Sequence, residues 1–139
     1  MAIKFINFDY DESNPTAYEY TAADFRTVYS QFTSNGIIVP PTVDVTTDTS
    51  LKVTAIADGV RISSGVAAIQ GAFAIVTNED VLFSTDGTYR VVLEFNTVLN
   101  KIYAKVSNVA LVRTSTVWQL QPASVVKSGS TYTVTDTRT

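Results

Sequence analysis

From residue 37 onward the apolar side chains recur at every second position, and this alternation constrains the chain more than any other feature. "YRVVLEFN" sets Tyr89, Val91, Leu93 and Phe95 against Arg90, Val92 and Glu94. "KIYAKV" sets Ile102, Ala104 and Val106 against Lys101, Tyr103 and Lys105. A period of two puts one set on a buried face and the other on a wet one, the pattern of half-buried antiparallel strands. The breaks fall on residues that let a backbone reverse, with Asp-Gly at 58–59 and again at 86–87.

"LKVTAIA" places Leu51, Val53 and Ala55 on one face, and Val60 and Ile62 continue the hairpin beyond the first Asp-Gly. The stretch "GVRISSGVAAIQG" holds almost nothing that could do chemistry, so it reads as built to pack and pair. Its Gly65 and Gly71 bracket a short strand through Ala68 and Ile69, and "AFAIV" follows as another. "IIVPPTVDVTTDTS" carries two prolines and reads as an extended edge or connection. "ALVRTSTVWQL" and "STYTVTDTRT" supply the last strands. Seven to eight short strands at this spacing give a mainly β fold, an antiparallel β-sandwich or open barrel, with the sandwich as the expectation.

The start of the chain has a different grammar. Residues 1–19 crowd Phe5, Phe8 and Tyr10 among acidic residues and read as an extended arm. Thr21 with Asp24 resembles a capping box, and Phe25, Val28, Tyr29 and Phe32 form one apolar stripe, so a helix is expected over 20–33. Asn35-Gly36 ends it as a left-handed C-cap. With 139 residues the chain is expected to be one domain, 1–139, made of arm, helix and a β-sandwich over 37–139.

Composition removes several function classes. The chain has no Cys and no His, so it lacks disulfides, thiolate chemistry, the commonest general base and the usual transition-metal ligands. No cofactor and no metal site are expected. The formal charge of −3 comes without any cluster of Lys or Arg, which argues against nucleic acid as a partner. Acidic residues appear by position 9, too early for the apolar core of a signal peptide, and no window is apolar enough for a membrane span.

The chemistry-bearing constellations are sparse. Asp9, Asp11 and Ser13 start like a calcium loop, but Asn14 and Tyr20 stand where the loop needs Gly and Glu. Asp80, Asp86 and Glu94 supply carboxylates, yet Asp80 and Asp86 fall in expected turns and nothing ties either to Glu94. Ser63 and Ser64 have no lysine nearby to act as base. Catalysis is therefore not expected. Trp118, beside Gln119 and Gln121, is either a core anchor or a platform for a sugar.

Taken in order, "YTAADFRTVYSQFTSNGI", "LKVTA", "DGVRISSGVAAIQGAFAIV", "YRVVLEFN" with "KIYAKV", and "YTVTDTR" resemble small tail-tip and baseplate proteins of siphophages that infect Gram-positive bacteria. The match runs over residues 18–138. The resemblance implies a β-sandwich similar to the shoulder domain that attaches lactococcal phage receptor-binding proteins to their baseplate. It also implies a non-enzymatic virion protein, made in the host cytoplasm and carried in the phage tail tip. Its partners would be copies of itself, as a trimer or hexamer, and other tail proteins. Family members continue past the Thr-Asp-Thr-Arg into further segments whereas this chain stops at Thr139, so attachment is expected rather than direct host recognition. The contacts expected to carry assembly are Phe5, Phe8 and Tyr10 of the arm and Phe25, Tyr29 and Phe32 of the helix. The alternative is a carbohydrate-binding module that contacts the host cell wall through Trp118.

Overall fold

The computed structural model describes residues 26–27, 35–38 and 48–138. Ten strands occur among them: β1 (Gly36–Ile38), β2 (Val53–Ile56), β3 (Gly59–Ile62), β4 (Gly65–Ile69), β5 (Ala72–Val76), β6 (Glu79–Leu82), β7 (Gly87–Asn96), β8 (Lys101–Ser107), β9 (Val117–Ser128) and β10 (Thr131–Asp136). They make three antiparallel sheets, in the orders β1-β4-β5, β2-β3-β6 and β10-β9-β7-β8. The mainly β class stands, with ten strands among the described residues where seven or eight were expected. The helix expected over 20–33 lies, apart from Arg26 and Thr27, outside the described residues.

One apolar cluster joins the sheets. It takes Val53 from β2, Val60 and Ile62 from β3, Ala67 and Ile69 from β4, and Val91, Leu93 and Phe95 from β7. Ala123 and Val125 of β9 complete its centre, and Ile102, Ala104 and Val106 of β8 pack against its side, as their alternation requires. β2 approaches β10 and β6 approaches β8, so the β2-β3-β6 sheet lies close to both edges of the four-stranded one. Removing these side chains from water is the main favourable term in such a fold.

The turns show where sequence signals were used and where they shifted. Gln70 and Gly71 join β4 to β5 with φ of 51° and 76°, a two-residue turn whose twist matches the strands it connects. Gly71 also has no room for a side chain, since a Cβ there would lie 1.9 Å from the Arg26 carbonyl oxygen. The Asp58-Gly59 signal moves by one residue: Ala57 and Asp58 form the turn, and Gly59 already pairs with Leu82 in the sheet. Glycine is needed at 59 for a different reason, because a Cβ would meet the Val81 carbonyl oxygen at 2.1 Å.

Four further expectations need correction. Gly36 is not a left-handed cap but enters β1 opposite Ala68. Ala55 shares a strand with buried Val53 but is exposed, since β2 is an edge strand and its end reaches solvent. The last part of the chain holds a longer strand than expected: β9 starts at Val117 and runs through Pro122 to Ser128. A bulge makes this possible, because three β9 steps from Leu120 to Ala123 match two on β7 from Leu93 to Val91. Pro122, which has no N–H to donate, sits in the irregular part of the ladder.

The fourth correction concerns β7, which is buried on both faces rather than one, with Val92 and Glu94 as closed off as Val91 and Leu93. The connection between β8 and β9 folds over the second face. Arg90 Nε donates to the Val109 carbonyl at 3.2 Å, and Val112 exchanges hydrogen bonds with Gln119 through its N–H and its carbonyl.

Candidate functional site

The expected carboxylate candidates are held apart, each by its own partners. Asp80 lies in β6 rather than in a turn and faces Arg61 across the ladder, with a two-pronged ion pair at 2.6 and 2.9 Å. Asp86 pairs with Lys127 at 2.9 Å, and the ammonium also donates to the Gly129 carbonyl and lies over the Tyr132 ring. The Arg61 guanidinium lowers the Asp80 carboxyl below its ordinary value, and Lys127 with the Gly129 N–H does the same for Asp86.

Glu94 is the buried member, 4% exposed at the centre of the four-stranded sheet. Its neighbours in register are Tyr103 on β8 and Gln119 on β9, so one row of the outer face reads Tyr103-Glu94-Gln119. Gln119 Nε2 donates to Glu94 Oε1 at 2.6 Å, Lys105 Nζ lies 2.8 Å from the same oxygen, and the Tyr103 hydroxyl donates to Oε2. Burial pushes the Glu94 carboxyl up, but the bonds from Lys105, Tyr103 and Gln119 together outweigh it and hold the group below its ordinary value. The same bond raises the Tyr103 phenol. Both oxygens of this carboxylate are engaged, so the arrangement fastens three strands.

The assembly residues Phe5, Phe8, Tyr10, Phe25, Tyr29 and Phe32 lie outside the described residues, as does the Asp9-Asp11-Ser13 run. Trp118 lies within them. It pairs with Phe95 across β7 and β9 and packs against the core. It also borders a cavity of about 360 Å³ at the C-terminal end of β7, formed with Arg26, Gln70, Phe95, Thr97 and the turn that carries Arg113. Its indole N–H is buried and has no partner among the described residues.

The wall of this cavity is fixed locally. Arg113 bridges to Trp118, and the Thr114 N–H donates to the Val117 carbonyl at 2.7 Å while the Val117 N–H donates to Thr114 Oγ1 at 3.1 Å. The Thr97 N–H then holds the Thr116 carbonyl at 2.9 Å, pinning this turn to the end of β7. The Arg113 guanidinium stands over the Trp118 ring and that of Arg26 over the Phe95 ring, each 5.4 Å from the ring centre. Asn100 Oδ1 accepts from Arg26 Nη1 at 3.0 Å. Among the described residues neither guanidinium is in a salt bridge with a carboxylate.

Sequence reasoning found Trp118 but not the arginines. Arg26 and Arg113 are far apart in the chain, and only folding brings them to one cavity. The single local signal is "RTSTVW", where a tight turn returns Arg113 to Trp118. The Arg113 guanidinium stands over one face of the Trp118 ring, the residue expected as a sugar contact in the alternative reading. Comparison with protein-family models finds no match for this chain, and comparison with curated proteins finds none either.

Proposed function

We propose that the three sheets form a β-sandwich and that this protein is a non-enzymatic structural component of a siphophage tail tip or baseplate, acting through oligomeric assembly. The observation that carries the reading is the apolar surface along the sheet margins. Ile75 on β5 is 78% exposed and Leu82 on β6 is 61% exposed, both on strands that end their sheets among the described residues. A groove of about 520 Å³ runs between β5 and β8, another strand at a sheet margin, where Ile75, Val76, Ile102 and Ala104 are joined by the polar Glu79 and Lys101. Sheet margins with outward apolar side chains favour pairing with another chain, and a second copy offers the same surface in a closed ring.

The order of sequence pieces from "YTAADF" to "YTVTDTR" supports the tail-protein assignment, and the separate engagement of Asp80, Asp86 and Glu94 supports the absence of catalysis. The test is molar mass by light scattering coupled to size exclusion, on the full chain, on a chain lacking residues 1–19, and on Ile75→Arg. A discrete trimer or hexamer that weakens in either variant is expected. A monomer at every concentration overturns the assembly reading.

A further inference from the structure

The cavity beside Trp118 collects donors. Its charged side chains among the described residues are Arg26 and Arg113, and Trp118 on its wall carries a buried indole N–H with no acceptor among the described residues. A buried donor left unpaired is unfavourable. Arg26 gives Nη1 to Asn100 and Arg113 gives Nε to the Gln119 carbonyl at 3.4 Å, and their other N–H groups have no acceptor among the described residues. The protein as a whole carries −3, so this positive spot stands against the average field of the molecule. From this geometry we infer that the cavity is a binding site for a small, oxygen-rich anion, a sugar-sized molecule carrying a carboxylate or a phosphate.

The argument against a neutral sugar is the position of Arg113, which stands over one face of the Trp118 ring and so competes for it as a stacking platform. The argument for an anion is the paired guanidinium groups, whose planar forks match carboxylate and phosphate oxygens. A volume of about 360 Å³ accommodates a single ring with one charged substituent. The wall is held before any ligand arrives, by the Thr97–Thr116 bond and by Arg26 anchored on Asn100, so little ordering remains to be done on binding. This inference is independent of the assembly reading, because no residue of the β5–β8 groove borders the cavity.

The chain has one tryptophan, so indole emission reports this cavity alone. The experiment titrates the full chain with glucose 6-phosphate, glucuronate and glucose in low-salt buffer free of phosphate, following Trp118 emission. Saturable change with at least one anion, roughly tenfold tighter than with glucose and weakened by salt, is expected. A response to glucose 6-phosphate alone identifies phosphate as the recognised group, and a response to glucuronate alone identifies carboxylate. Arg113→Gln is expected to lose about tenfold in affinity and Arg113→Lys to keep part of it, with both variants checked for the parent far-ultraviolet spectrum. Glucose binding as tightly as the anions, an unchanged affinity in Arg113→Gln, or no response to either anion each overturns the inference.

Discussion

Replacing Glu94 by Ala removes the carboxylate on which Tyr103, Lys105 and Gln119 converge, and the structure sets the size of the loss. Gln119 is 2% exposed, so its amide loses a buried acceptor, at about 1–3 kcal/mol. The Lys105 side chain is 40% exposed and regains water, so its share is about 1 kcal/mol or less. Tyr103 is half-buried and its hydroxyl can turn outward, so it adds little. The sum is a destabilisation of about 2–3 kcal/mol at neutral pH, at or below the low end of the roughly 3–5 kcal/mol for a fully buried pair, because the Lys105 side chain is partly in water. Glu94→Gln keeps the size and one acceptor oxygen, and its cost is about 1 kcal/mol. Urea unfolding of the three proteins measures this. The folded-state carboxyl lies below its ordinary 4.5, so the charged form adds stability above that value and the gain is lost as pH falls through the folded-state value. The gap between parent and Glu94→Gln therefore narrows in acid. An Ala variant as stable as the parent, or a gap that widens in acid, refutes the reasoning.

Arg138 donates to the carbonyls of Asp48 and Ser50 and grips the Asp136 carboxylate, so Arg138→Ala is expected to cost about 2 kcal/mol in urea unfolding and to free the 48–51 segment to hydrogen exchange. Asp136 is held below its ordinary 3.8 first by its bond from Arg138, so this clamp is present above that value and is lost as pH falls through the lower folded-state value. Gly59→Ala drives a Cβ against the backbone of Val81 and Leu82, which cannot swing aside, and is expected to cost about 2 kcal/mol or more by thermal or urea unfolding. Asp80→Asn breaks only an exposed pair and is expected to leave the urea midpoint where it was; a clear shift would mean that the β3–β6 ladder depends on it.

The strands with clean alternation were legible because one face of each is core: Val91, Leu93, Phe95, Ile102, Ala104 and Val106 all lie where a period of two places them. What escaped the pattern has a physical reason in each case. β9 hides behind Pro122, whose missing N–H argues against a central strand unless a bulge accommodates it, and a bulge is a property of the partner's register. The closed outer face of β7 was not legible from β7 itself, since the cover comes from residues 108–116 with no periodicity of their own. Glycine signals marked turns correctly at Gly71, whereas Gly59 answers to a neighbouring carbonyl that no local rule can place. The Trp118 cavity was half legible, because the aromatic is visible in the sequence and the two arginines become one site only through tertiary structure.

These features differ along the length of β7. At its start, Tyr89 and Tyr132 close on Phe83 edge to face, and the Tyr132 hydroxyl holds the Phe83 carbonyl at 2.7 Å. Lys127 and Asp86 seal that end with a charge pair. In the middle, the Glu94 row ties β8, β7 and β9 together across the outer face while Leu93 anchors the inner one. At the far end the same strand delivers Phe95 to a cavity whose guanidinium groups have no carboxylate to neutralise them among the described residues. Polar groups in the first two regions are paired within the fold, whereas those in the third leave donors available. A change at Arg113 should accordingly alter ligand binding with little effect on the urea midpoint, and a change at Glu94 should do the reverse, which separates what the sheet needs to stay folded from what its end can hold.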